Sequence, residues 1–110
     1  MTTDKTGAPT TVTAESDRFS ISVEGRRAGF VEFTDRGNQR VFTHTEVADE
    51  FGGRGLASIL VNEALQATRD AGLRIVAVCP MVAGFLEKHH EFADVVDPVS
   101  RDIKSWLANS

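Results

Sequence analysis

Between the β-patterned run Arg40 to Val47 and an amphipathic stretch from Leu56 to Ala71 lies the heptapeptide Phe51-Gly52-Gly53-Arg54-Gly55-Leu56-Ala57. A strand, a glycine-rich turn and a helix in immediate succession restrict the chain more than any other feature. Leu56, Ile59, Leu60, Ala64, Ala67 and Ala71 recur at helical spacing, and Gly72 stands where a left-handed C-cap belongs. Ile75-Val76-Ala77-Val78 is then a continuous apolar run of strand length, which suits a strand covered on both faces. With a helix between them, this strand and Arg40 to Val47 are expected to lie parallel, as a crossover pair.

Upstream, Phe19-Ser20-Ile21-Ser22-Val23 alternates with period two and Glu24-Gly25-Arg26 offers a turn. Ala28 to Phe33 resumes the extended pattern before Asp35-Arg36-Gly37-Asn38 turns again. Antiparallel strands leading into Arg40 to Val47 follow. Met1 to Ser16 holds six threonines, Gly7 and Pro9 with few apolar residues. It is expected to be a disordered tail, because it cannot bury enough surface to offset its ordering entropy. After Pro80, Met81 or Val82, Phe85, Leu86 and His89 share a helical face. Asp97-Pro98 reads as a cap and first helical residue that open a last helix through Val99, Ile103, Trp106 and Leu107. Met81, Phe85 and Trp106 read as core.

The expected fold is α/β, bordering on α+β, in a single domain over 17–110. Its mixed sheet has four to five strands, antiparallel first and then a parallel βαβ crossover, with three helices. At 110 residues, 41% apolar and 25% charged, one core can form without staples. A net charge of −4 and the lack of a clustered basic face argue against a nucleic-acid partner. One cysteine cannot form an internal disulfide, and no apolar stretch approaches the ~20 residues of a membrane span. The expected location is the cytoplasm, with no membrane partner.

Gly52, Gly53 and Gly55 let the backbone take conformations that a Cβ forbids, so successive N–H groups can converge on an anion where a helix begins. Those groups lack helical partners, and the helix dipole favours negative charge beside them. The run has no Gly-Lys-Ser/Thr ending, and Gly53-Arg54-Gly55-Leu56-Ala57-Ser58 lacks the third glycine of the dinucleotide fingerprint. Neither a nucleoside triphosphatase nor a dinucleotide-dependent dehydrogenase is supported. The same letters also fit a plain glycine-rich turn from strand to helix.

The loop resembles the acyl-CoA loop of the GNAT superfamily of N-acetyltransferases, whose pattern is Gln/Arg-x-x-Gly-x-Gly/Ala at the start of a helix. Gly55 and Ala57 fill its last two fixed positions, while Gly52 stands where Gln or Arg is usual. His44-Thr45-Glu46-Val47 before the loop, and Val78-Cys79-Pro80-Met81-Val82 and Phe85-Leu86-Glu87-Lys88-His89-His90-Glu91-Phe92 after it, resemble a branch of small single-domain members. Together these motifs span Phe19 to Val96. The resemblance implies acetyl-CoA (coenzyme A) as cosubstrate and transfer of acetyl to an amine. It sets Val47 and Glu46 beside the pantetheine arm, and Gly52, Gly53, Arg54, Gly55, Leu56 and Ala57 around the pyrophosphate. The thioester would then lie near Cys79. Family members usually carry two helices after their first strand and further strands at their end, and this chain has room for neither. A CoA-binding or protein-interaction module without turnover is therefore the alternative.

Cys79 stands at a strand end, before Pro80 and a helix N-terminus whose dipole lowers a thiol pKa from its usual ~8.5. It can be a nucleophile that takes the acetyl group, a group that assists thiolate departure, or a small buried hydrophobe. Glu46 shares a strand face with His44 and can act as general base if burial lifts its pKa, or be a solvated charge. His44 can orient Glu46 or accept a proton. No metal site is expected: His89 and His90 diverge on a helix, and no second pair has ligand spacing. His89 matches a family position near the cleft, or else caps a helix.

Overall fold

Period-two alternation builds an antiparallel meander that occupies the first half of the chain. In the computed structural model, which describes residues 2–3, 7–51 and 55–108, the strands are β1 (Thr2–Thr3), β2 (Pro9–Ala14), β3 (Arg18–Val23), β4 (Arg26–Arg36) and β5 (Gln39–Val47). Glu24 and Gly25, with φ of 51° and 82°, form the two-residue turn between β3 and β4, where positive φ at both positions matches the twist of the strands. After β5 come a short 3-10 turn (Asp49–Phe51), α1 (Leu56–Asp70), β6 (Arg74–Ala77) and α2 (Pro80–Lys88). A second 3-10 segment (His90–Val95), β7 (Val96–Asp97) and α3 (Arg101–Ala108) complete the described chain.

Strand order in the sheet is β1-β2-β3-β4-β5-β6-β7. Pairing is antiparallel from β1 to β5, and parallel between β5 and β6 and between β6 and β7. The mixed α/β architecture expected from the sequence is present, with the Ile75 strand parallel to β5. Two points are corrected. The sheet has seven described strands instead of four to five, with two 3-10 segments beside the helices. Pro9–Ala14 also belongs to the sheet, inside the stretch expected to be disordered: Thr10↔Val23 through Ala14↔Phe19 pair along β3. Its threonines gain from ladder hydrogen bonds and β-branched geometry what they lack in apolar burial, and Thr10 is fully buried while Val12 packs on the core.

Alternation sends opposite residues of β5 and β6 to two cores. On one face Phe19, Ile21, Val31, Phe33, Phe42 and Ile75 pack beneath α1 and α2. On the other, Val41 and Val76 meet Ile103 of α3, with Val99, Trp106 and Leu107 around them. Each such fully buried aliphatic or aromatic side chain contributes about 1.5–3 kcal/mol.

Helix α1 buries Leu56, Leu60, Val61, Ala64, Leu65 and Thr68, a stripe centred away from the expected Ala67 and Ala71, which are exposed. It ends at Gly72 as expected: φ is 77°, and the Gly72 and Leu73 N–H groups donate to the Arg69 and Thr68 carbonyls, closing a Schellman turn. Met81 is exposed rather than core. The last helix is capped by Ser100, whose Oγ accepts the Ile103 N–H at 3.2 Å, and not by Asp97. Asp97 lies in β7, where its carboxylate accepts hydrogen bonds from Gln39 Nε2 at 2.8 Å and Arg74 Nε at 2.7 Å. The Gln39 hydrogen bond, with a further contribution from Arg74, holds its pKa below the ordinary carboxylate value.

Candidate functional site

Parallel pairing of β5 with β6 runs only from Gln39↔Arg74 to Phe42↔Ala77, although β5 continues to Val47. The last tie is at Phe42, whose carbonyl accepts the N–H groups of both Val78 (3.1 Å) and Cys79 (2.9 Å). Past it the two strands part. Thr43 to Val47 keep β4 on one side, and among the described residues no strand pairs with their other edge. An open edge of this kind offers backbone donors and acceptors to an extended ligand.

A bulge then decides which side chains face the opening. Phe33 pairs with Phe42 but Glu32 pairs with His44, so Thr43 is the extra residue. One inserted residue inverts the alternation beyond it. Thr45, opposite Val31, and Val47, opposite Gly29, turn to the α1 side, whereas His44 and Glu46 turn to the outer face. Gly29 permits this register, because a Cβ there would stand 2.5 Å from the Glu46 carbonyl oxygen.

Across the opening, Cys79 is the N-cap of α2, with Pro80 at the first helical position. Its side chain is 3% exposed and belongs to the core beneath α1. Thr45 Oγ1 lies 3.1 Å from Cys79 Sγ. On the outer face His44 Nε2 lies 3.2 Å from Glu46 Oε1, with both side chains more than half exposed. The two histidine and glutamate candidates are thus together as their shared face required, but on the other side of the sheet from the sulfur. Burial, the condition for Glu46 to serve as a base, is not met in this structure: 61% of its side chain is exposed.

Gly55 is the N-cap of α1 and takes the left-handed conformation, φ 75° and ψ 17°, which favours glycine. It offers no side-chain cap, and the first turn holds no acidic residue, so the N–H groups at Leu56 and Ala57 are suited to an external anion. Gly52, Gly53 and Arg54 lie outside the described residues.

Two cavities flank these elements. One of about 270 Å³ lies between the first turns of α1 and the face of α2, with Ala57, Ser58, Phe85, Lys88 and His89 in its wall. The His89 ring stacks on Phe85 at a centroid distance of 4.0 Å, and the His89 backbone N–H closes the last turn of α2 on the Phe85 carbonyl at 3.0 Å. His89 is therefore both the helix cap and a wall of that cavity. His90 instead turns back, Nε2 lying 2.9 Å from the Glu87 carbonyl oxygen. The second cavity, of about 590 Å³, runs along the ends of β4 and β5 past Gly29, Phe30, Thr45, Glu46, Val47 and Asp49. Thr45 lines this cavity and touches Cys79, and sequence reasoning did not single it out. Its only sequence signal was a shared phase with Val47, visible once the bulge is placed.

The family model for the GCN5-related N-acetyl-transferase matches residues 18–95. That span runs from β3 through the second 3-10 segment, so β1, β2, β7 and α3 lie outside it. Among solved structures, the chain is similar to the NMR solution structure of a GCN5-like putative N-acetyltransferase from Staphylococcus aureus. Identity is 25% and the TM-score 0.64, over 83% of this chain and 91% of the other. No curated protein matches at a significant level.

Proposed function

Because the chain belongs to the GCN5-related N-acetyltransferase family, we propose that it binds acetyl-CoA in the opening between β5 and β6 and transfers the acetyl group to an amine. The observation that carries this reading is the early end of the parallel ladder at Phe42↔Ala77 while β5 runs on to Val47, with Cys79 facing Thr45 across the gap. The open edge around Val47 suits the amides of a pantetheine arm. Gly55, Leu56 and Ala57, at the uncapped start of α1, suit a pyrophosphate, and the same role is proposed for Gly52, Gly53 and Arg54. Acetyl-CoA supplies an activated acetyl thioester.

Cys79 is assigned as nucleophile. Its sulfur lies on the α1 side of the sheet, at the N-terminus of a nine-residue helix and 3.1 Å from the Thr45 hydroxyl. In the alternative without an acyl-enzyme, Glu46, 3.2 Å from His44, would be the base for an amine that approaches from the outer face; its exposure, and its place on the other face of the sheet from the sulfur, favour Cys79.

Incubation with acetyl-CoA, followed by intact mass and CoA thiol release, tests the reading, with Cys79→Ala as control. Gain of one acetyl group in the native protein and none in the variant supports it. Undiminished thiol release in Cys79→Ala moves the chemistry to Glu46 or water. Binding of CoA without any release makes the protein a CoA-binding or protein-interaction module.

A further inference from the structure

We infer that Thr45 is the positioning residue for the Cys79 sulfur, an inference that rests on Cys79 being the group acylated. Three observations converge on it. First, the Thr43 bulge is what brings Thr45 to the α1 side; with unbroken alternation from Phe42, residue 45 would face outward. Second, the Thr45 hydroxyl is the one polar side-chain group placed on the sulfur, at 3.1 Å, among the described residues. Third, Thr45 also lines the cavity of about 590 Å³ at the ends of β4 and β5, so one residue touches both that cavity and the sulfur.

A threonine hydroxyl is suited to both states of a nucleophilic thiol. It accepts the S–H of the resting thiol and, by rotating, donates its own O–H to the thiolate. β-Branching restricts its χ1, so the oxygen is held in place at little further entropic cost. In acylation the Cys79 S–H proton is released and the sulfur forms a bond to the acetyl carbon. The carbon–sulfur bond to coenzyme A breaks, and the CoA thiolate takes a proton. When an amine then attacks the acetyl carbon, the bond to Cys79 breaks, the nitrogen loses a proton and the Cys79 sulfur regains one. Thr45 ends each step with the proton it began with. Its contribution is the direction of the sulfur lone pair and a hydrogen bond to the negative sulfur.

Single-turnover acylation of Cys79, followed by intact mass, is compared in the native protein, Thr45→Val and Thr45→Ser. CoA affinity is measured by calorimetry and the fold by the urea midpoint. The expected result is unchanged CoA affinity in Thr45→Val with acylation slowed by about 10-fold or more, and Thr45→Ser restored to within about 3-fold of native. Native acylation rates in Thr45→Val would overturn the role of Thr45 and leave Cys79 as nucleophile. Equal slowing in both variants would show packing, not the hydroxyl, to be responsible, and would also overturn it. Absence of any acetyl on native Cys79 despite CoA binding would remove the nucleophile, and Thr45's role with it.

Discussion

Arg74 Nε donates to Asp97 Oδ1 at 2.7 Å, joining neighbouring parallel strands at the end of the sheet remote from the opening beyond Phe42. Gln39 of the next strand binds the other oxygen at 2.8 Å, so one carboxylate ties β5, β6 and β7.

Asp97 should impose an acid limb on stability. Its pKa is lowered in the folded state, chiefly by Gln39, so its contribution is complete above the unfolded value of about 3.9 and is lost as pH falls through the lower folded value. Asp97→Asn is expected to cost about 1 kcal/mol at pH 7 and to flatten the decline in urea midpoint below about pH 4. An undiminished acid limb in the variant would assign it to other carboxylates.

Gly29→Ala should destabilise by about 1–3 kcal/mol. The new Cβ would stand 2.5 Å from the Glu46 carbonyl oxygen and 3.1 Å from Val47 Cα, and these are backbone atoms of a paired strand. Thermal unfolding reads the cost, and CoA calorimetry should show weaker binding because the edge at Val47 is displaced. A neutral substitution would mean that β4 and β5 can separate freely here.

Gly55→Val should lower CoA affinity by about 10-fold or more through lost main-chain hydrogen bonds. It should also cost about 1–2 kcal/mol of stability, since φ at this position is 75°. Gly72→Val is the control. Its φ is 77°, at the far end of the same helix, with nothing within 4 Å of a new Cβ. It should lose comparable stability and keep CoA affinity. Equal loss of binding in both variants would locate the phosphates elsewhere.

Glu46→Gln should test the alternative base. The side chain is 61% exposed, so stability should change by no more than about 0.5 kcal/mol. Because Glu46 lies on the opposite face of the sheet from the sulfur, acylation of Cys79 and transfer to an amine should both stay within about 3-fold of native. Rapid-quench mass measurement of acetyl-Cys79 decay reads the second step, and a decay slowed by roughly 10²-fold would make Glu46 the base after all.

The crossover was readable because each part leaves a strong local mark: glycines at both ends of α1, helical spacing between them, and an apolar run for β6. Strand β2 was not, because a threonine-rich segment carries no apolar stripe and is stabilised by a neighbour's backbone. The positions of His44 and Glu46 on a common face followed from alternation, but which face did not. A bulge such as the one at Thr43 has no residue signature of its own, and it alone decides that Thr45 meets Cys79 while Glu46 looks outward. The last helix shows a simpler competition. Asp97 had the letters of a cap, yet Gln39 and Arg74 hold its carboxylate more strongly, and Ser100 caps in its place.

The described strands lie across the sheet in the order in which they are synthesised, from Thr2–Thr3 to Val96–Asp97. Every new strand thus joins a neighbour completed just before it, and most closures span only a tight turn, where loop entropy is small. The two long reaches are those to the parallel strands, from β6 over α2 to β7 and, longer, from β5 over α1 to β6. Assembly can advance outward like a zip and meet its slow step at that junction, so the opening beyond Phe42 is created at the moment of greatest topological cost.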